Sequence, residues 1–385
     1  MQVEDQTCLY LPMPYMEPIT LASGASYFAS PIMATEAAVN ALRAGETFYG
    51  PTEGTPALRQ AICDKYKQQG QDVQPEQVLI TPGSKQALFN LFSVLLRQGD
   101  EVVIPMPSWF GFHELMKYSC GTLVPLQTKP ENAYQLTPEM LRQSLNENSR
   151  ILLLTNPGNP TGKIYTKEEL EALLQVTNQY PNLYIISDEI YDHITYGQPF
   201  TSLLSCVGAE KENIILVNGF SKSFAMSGWR IGYILGPEEL IKKCINFQGS
   251  TMSGISVFVQ EAAEATMQQR DEALELMQTI LAQNRQLMAD TLDAIPGVNY
   301  YLPDGAYYFF PDLSAYLNRK TLQGNTLATS TDLANHLQQN YNLAIAPGEN
   351  FGAPGYARLS FAVEPEKLQE ALKRLQKALA EFKKA

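Results

Sequence analysis

The chain is predicted to be an α/β protein: a large domain built on a mainly parallel sheet, with a smaller α+β domain beside it. Three observations predict this. From about residue 35 to 250, short apolar runs at 78–81, 101–105, 151–155, 183–187, 213–217 and 231–235 alternate with helical patterns, as in a parallel sheet covered by helices. After residue 250 the pattern changes to a long helical stretch reaching about residue 294, then to shorter strand and helix units. Finally, 385 residues of which 45% are hydrophobic are enough for two cores. The expected division is an N-terminal arm and small-domain segment over 1–35, a large domain over 36–280 and a small domain over 281–385.

Taken in order, residues 1–20, with Pro12, Pro14 and Pro18, read as an extended arm that belongs to neither core. Residues 55–70 read as a helix, because Thr55 is an N-cap, Pro56 suits the first helical position and Gly70 is a stop. Gly83-Ser84-Lys85 opens a second helix, with Leu88, Leu91, Phe92 and Leu95 at helical spacing, so its free N–H groups form an anion site. Thr137-Pro138 repeats the N-cap and proline signature, and Thr166 followed by Glu169 is a capping box. From Glu364 to the C-terminus the pattern is an amphipathic, charged helix.

Composition narrows the function. With 28 Lys and Arg against 40 Asp and Glu, the net charge of -12 is spread without long blocks and repels a nucleic acid backbone. The five cysteines are odd in number and never form a C-x-x-C pair, which argues against a disulfide framework or a Cys-based zinc site and for a reduced cytoplasm. Glu4 and Asp5 stand where a secretory leader is basic, and no apolar run approaches the roughly 18 residues of a bilayer span, so no membrane partner is expected. His113, His193 and His336 lie far apart without metal-ligand spacing, so no metal centre is expected.

Chemistry concentrates where apolar runs end. Lys222 and Arg230 lie in a Gly- and Ser-rich stretch, Gly219 to Gly232, just after the run at 213–217, at a strand's carboxyl end, where open α/β sheets bind ligands. Taken alone, both cations could equally be solvated loop residues. Asp188 ends the run at 183–187 and is either a ligand-edge carboxylate or a helix N-cap. The segment Asn156-Pro157-Gly158-Asn159-Pro160-Thr161-Gly162 is a turn by composition. Trp109 is one of two tryptophans, for which burial is the ordinary role.

Together with Tyr49-Gly50, Gly83-Ser84-Lys85-Gln86-Ala87-Leu88, Pro107-Ser108-Trp109, Ser187-Asp188-Glu189-Ile190-Tyr191 and Arg358-Leu359-Ser360-Phe361, these motifs fall in the order of one family. The chain resembles, over essentially its whole length, the class I/II pyridoxal-phosphate-dependent aminotransferases of fold type I, the group that includes aspartate aminotransferase. The resemblance implies pyridoxal 5'-phosphate as cofactor, with Lys222 as the Schiff-base amine and general base. It makes Asp188 the partner of the pyridine nitrogen, and Tyr191 and Asn159 partners of the phenolic oxygen. Trp109 stacks on the cofactor face, while Ser84 and Lys85 at the helix start, with Arg230, surround the phosphate.

Further residues are implied for the substrates, an amino acid and a 2-oxo acid. Arg358 takes the α-carboxylate through two parallel hydrogen bonds, Gly24 approaches the same end through its backbone, and Lys85 reads a distal carboxylate, or else simply covers helix surface. Tyr49 reaches the phosphate of a neighbouring subunit, which makes the molecule a homodimer with a shared site. The implied activity is transfer of an amino group from an L-amino acid, aspartate or another dicarboxylic substrate, to a 2-oxo acid. The alternatives are a lyase or cyclase on the same fold, or a transaminase for aromatic or neutral amino acids. A regulator-type ligand sensor lacks a winged-helix segment and a basic patch, and a dinucleotide enzyme lacks a convincing G-x-G-x-x-G. Two departures stand out: Gly219 replaces a Ser that contacts phosphate in many relatives, and Gly24-Ala25-Ser26-Tyr27-Phe28 replaces the common Gly-Glu-Pro-Asp-Phe.

Overall fold

Within each apolar run, successive side chains enter two different cores. Val78 and Ile80 join one hydrophobic cluster while Leu79 joins another; Leu152 and Leu154 part from Ile151 and Leu153, and Ile214 and Leu216 from Ile215 and Val217. Period-two alternation with both faces buried is why these strands read as unbroken apolar runs. The computed structural model describes residues 17–206, 213–321 and 324–382.

The element order is β1 (Ile19–Thr20), α1 (Ile32–Ala44), α2 (Pro56–Gln68), β2 (Val78–Thr81), α3 (Ser84–Leu95), β3 (Glu101–Met106), α4 (Gly111–Met116), β4 (Thr122–Gln127), α5 (Pro138–Ser144), β5 (Ser149–Thr155), α6 (Lys167–Thr177), β6 (Tyr184–Asp188), β7 (Ile214–Gly219) and β8 (Gly232–Leu235). There follow α7 (Glu238–Thr251), α8 (Val257–Gln268), α9 (Arg270–Asp293), β9 (Tyr308–Phe309), α10 (Ser330–Tyr341), β10 (Leu343–Ala344), β11 (Ala346–Pro347), β12 (Ala357–Ser360) and α11 (Pro365–Ala380). The large sheet has seven strands in the order β2-β8-β7-β6-β5-β3-β4, with only β8 antiparallel to its neighbours. Helices α3, α4 and α7 pack on one face, and α2, α5 and α6 on the other. A three-stranded antiparallel sheet, β11-β12-β9, and the parallel pair β1-β10 make the smaller unit. This is the α/β architecture that the sequence predicts, a mainly parallel large sheet with a smaller α+β unit.

The punctuation is physical where it was expected. The Thr55 hydroxyl accepts from the Leu58 amide, that of Thr137 from Met140, and Thr166 and Glu169 cap each other's backbone. Two expectations need correction, and one strand was not anticipated. Pro12 and Pro14 of the expected arm lie outside the described residues, but Ile19 pairs with Leu343 and is buried, so residues 19–20 are a strand in the core. The helical stretch after residue 250 is two helices, because Gln269, with φ -117° and ψ 36°, breaks the run between α8 and α9. Strand β4 escapes an apolar reading because it is a largely exposed edge that contains Pro125. Among the described residues no helix is long and apolar enough to cross a membrane.

Candidate active site

Strands β2, β3, β5, β6 and β7 run in one direction, so their carboxyl ends open at one edge of the sheet. Thr155, Asp188 and Val217 are neighbours in register there. The turns that follow carry Asn159, Tyr191 and Lys222, and those after β2 and β3 carry Ser84 and Trp109. Residues far apart in the chain converge because parallel connections return every strand to the same end.

Asp188 is buried, and its Oδ1 has no hydrogen-bond partner among the described residues. Burial pushes its carboxyl up to about 7, against the pull of the Ile190 amide and the Lys222 charge. The Ile190 amide serves the carboxylate at one oxygen only, and Oδ1 is left for a cationic or N–H partner. Lys222, half-buried, donates from Nζ to the Gly24 carbonyl, which also accepts from the hydroxyls of Tyr307 at 2.8 Å and Tyr308 at 3.4 Å. Tyr191 and Tyr308 hydroxyls meet at 2.9 Å, and burial, then the charges of Tyr308 and Tyr307, raises Tyr191 well above the usual phenol range.

The opposite end is an anion cradle. No side chain caps α3, and Gly83 before it has φ +84°, where a Cβ would lie 2.8 Å from Arg230 Nη2. Only glycine lets that guanidinium lie against the helix start. Arg230 is held by the carbonyls of Ser227 at 2.7 Å and Pro82 at 3.3 Å. A Cβ on Gly232 would come 2.8 Å from the Ser84 amide nitrogen, so β8 supports the cradle from below. Half-buried Trp109 meets Phe112 edge-on at 5.2 Å and carries Lys85 Nζ 5.1 Å above its ring.

Arg358, on β12, is buried. Its Nη1 donates to Asn159 Oδ1 at 3.0 Å and its Nη2 to the Ala22 carbonyl at 2.8 Å, while its Nε has no partner among the described residues. Its guanidinium carbon lies 4.3 Å from the Tyr308 ring and 4.9 Å from that of Phe351. Of the residues expected from sequence, Gly24, Ser84, Lys85, Trp109, Asn159, Asp188, Tyr191, Lys222, Arg230 and Arg358 join this one region through the contacts and strand ends described. Tyr49 does not: its ring is 93% exposed, beside Phe48 at 82%.

Sequence reasoning missed Ala22, Tyr307, Tyr308 and Phe351. The aromatic run Tyr307-Tyr308-Phe309-Phe310 was the available signal. It also missed the buried pair of Lys65 Nζ and Asp192 Oδ2, 2.5 Å apart, behind the site.

The class I and II aminotransferase pattern matches residues 17–375. The chain belongs to the class I and II aminotransferases. Its similarity to individual members is broad. A bifunctional aspartate aminotransferase and glutamate/aspartate-prephenate aminotransferase of Petunia hybrida is 36% identical, covering 95% of this chain and 77% of that one. An aspartate aminotransferase of Geobacillus stearothermophilus is also 36% identical, covering 93% of this chain and 90% of that one. Among solved structures, the aspartate aminotransferase from Rhizobium meliloti superposes with a TM-score of 0.91 at 32% identity, covering 95% of this chain and 92% of that one. The Thermus thermophilus aspartate aminotransferase with maleate gives 0.87 at 33%, covering 94% and 92%. The aminotransferase therefore has the fold of its relatives, and its sheet edge is where their chemistry is to be sought.

Proposed function

We propose that this aminotransferase holds pyridoxal 5'-phosphate at the sheet edge and moves the amino group of aspartate, or of another dicarboxylic amino acid, to a 2-oxo acid. The observation that carries this reading is the orphaned, buried Oδ1 of Asp188, opposite an anion cradle at α3. A ring with a protonated nitrogen at one end and a phosphate at the other suits both ends, and the Trp109 face offers it a flat wall. When bound, the cofactor supplies the aldehyde that receives the amine and a ring that withdraws charge from Cα.

The chain's own residues do the rest. Asp188 Oδ1 keeps a proton on the ring nitrogen, because a carboxylate buried without another partner gains most from an adjacent cation. Lys222 Nζ would serve as the base that takes and returns the Cα proton. Tyr191 Oη and Asn159 direct hydrogen bonds at the phenolic oxygen. Arg358 presents a bidentate edge to the α-carboxylate, already fixed in plane between two rings. Gly24 adds a backbone wall there, and the α3 amides, Ser84 and Arg230 hold the phosphate.

The dicarboxylic preference rests on the relatives' described substrates and on Lys85, poised beside Trp109. Two copies form the working unit, with Tyr49 of each reaching the phosphate in the other. Residues 36–280 form the large domain and 281–385, with residues from 1–35, the small one. The chain passes between them along α9.

Borohydride reduction followed by peptide mapping tests the reading. Wild type is expected to carry the reduced cofactor on Lys222 and to lose its visible band when aspartate is added. Lys222→Ala is expected to fold, remain untagged and lose at least about 10²-fold in turnover, at the low end for a missing acid–base group. Tagging at another residue, or normal turnover in the variant, would refute the assignment.

A further inference from the structure

Tyr308 is fully buried at the middle of the site and touches groups from three parts of the chain. β9 pairs with β12 so that Tyr308 lies opposite Ser360 and Phe309 opposite Leu359, which sets the Tyr308 ring 4.3 Å from the Arg358 guanidinium carbon. Its hydroxyl is 2.9 Å from that of Tyr191, in the turn after β6, and 3.4 Å from the Gly24 carbonyl of the N-terminal segment.

Donor counting fixes the direction of the short contact. A carbonyl oxygen has two lone pairs. One at Gly24 is taken by the Tyr307 hydroxyl at 2.8 Å whether or not Lys222 is linked to the cofactor, and Tyr308 stands 3.4 Å from that oxygen against 2.9 Å from the Tyr191 hydroxyl. The single Tyr308 proton is then left for Tyr191, and accepting it frees the Tyr191 proton to point onward. The Tyr308 ring does separate work, since an aromatic face against a desolvated guanidinium fixes its plane.

We propose that Tyr308 is a positioning residue with two separable parts: a hydroxyl that turns the Tyr191 proton into the site, and a ring that sets the Arg358 guanidinium for a carboxylate. The proposal rests on the function proposed above. Tyr191, held protonated by its burial and its phenolic neighbours, is suited to donate.

Tyr308→Phe keeps the ring and removes the hydroxyl; Tyr308→Leu removes both. Without the Tyr308 donor, Tyr191 becomes a weaker donor to the cofactor's anionic oxygen, so the Lys222-linked nitrogen keeps its proton to higher pH. In Tyr308→Phe the pH midpoint of the visible band is expected to rise by about 0.5 to 1 unit, and kcat to fall about 5- to 10-fold, as for one lost hydrogen bond. KM for aspartate is expected to stay within about twofold of wild type, because the ring contact survives. In Tyr308→Leu, KM is expected to rise about tenfold as well.

A cofactor-free measurement separates the two parts again. Maleate is expected to protect apo wild type and apo Tyr308→Phe equally from thermal unfolding, and apo Tyr308→Leu less. A wild-type midpoint and kcat in Tyr308→Phe overturn the hydroxyl's role; equal KM and equal maleate protection in the two variants overturn the ring's. The underlying reading fails separately, since it requires borohydride to tag Lys222 in wild type whatever Tyr308 does.

Discussion

At the scale of single residues, Asp188 makes the sharpest statement, because its cost depends on pH. Its carboxyl titrates near 7 in the fold against 3.8 for an ordinary aspartate, and burial is the main cause. The group favours folding while protonated, so its contribution is complete below 3.8 and is lost as pH rises through 7. That loss is on the order of 4 kcal/mol. Asn cannot ionise, so cofactor-free Asp188→Asn is expected to be more stable than wild type at pH 8, with the gap closing towards pH 4. Urea unfolding of both proteins at pH 4.5 and pH 8 checks this; an equal gap at both values contradicts it. Adding the cofactor should then stabilise wild type more than the variant, while turnover in Asp188→Asn falls sharply. Asp188 and Lys222 were legible in sequence because the motifs around them, Ser187 to Tyr191 and Gly219 to Gly232, resemble those of the family; their places near the ends of apolar runs alone left other readings open. Tyr308 and Ala22 were not, because their meeting with Arg358 comes from β9–β12 register and from the return of the N-terminal segment, neither of which has a local signature.

At the scale of elements, one carboxylate ties α2 to the turn that bears Lys222. Asp192 accepts from Lys65 at 2.5 Å, from Asn218 Nδ2 at 2.9 Å and from the Ser223 hydroxyl at 3.3 Å. Asn218 in turn accepts from the Gly219 amide at 2.7 Å, so both flanks of residues 219–223 are anchored. Burial opposes the Asp192 charge, yet its carboxyl is lowered to about 2 by His193, Lys65 and the bonds from Lys65 and Asn218. Burial also drives His193 down to about 4, so at neutral pH Lys65 is the cation that matters. Lys65→Met leaves Asp192 charged and unpaired, and is expected to cost about 3 to 5 kcal/mol, read as a lower urea midpoint with an unchanged slope. Lys65→Met with Asp192→Asn is expected to recover part of that loss, because no lone buried charge remains; a double variant as weak as the single one contradicts the pairing. The same elements show what sequence pattern can carry. Caps at Thr55, Thr137 and Thr166 are local bonds between residues three apart, and all were readable. The break at Gln269 has no Gly or Pro to mark it, and the edge strand β4 shows water on most of its side chains, so neither announced itself.

At the scale of the whole molecule, the unresolved contribution is that of Tyr49. It is the one expected site residue that the single chain leaves outside, with Phe48 equally bare beside it. Two adjacent, fully presented aromatic rings are unusual on a finished surface. The face of α1 adds Ile32 at 63% and Leu42 at 47% exposure to the apolar area. A twofold dimer of the kind proposed above would bury such a patch against its own copy and bring Tyr49 to the partner's cradle. If so, Lys222 and Tyr49 of one working site belong to different chains, and the arrangement can be tested by complementation. Lys222→Ala alone is expected to be inactive and Tyr49→Ala to bind the cofactor weakly. When the two variants are unfolded together at equal amounts and refolded, half of the dimers are mixed. Each mixed dimer has one site with an intact lysine from one chain and an intact tyrosine from the other, so activity should return to about a quarter of wild type. If both residues serve the same chain's site, mixing restores nothing beyond the average of the separate variants, and light scattering on the unmixed protein shows whether a dimer forms at all.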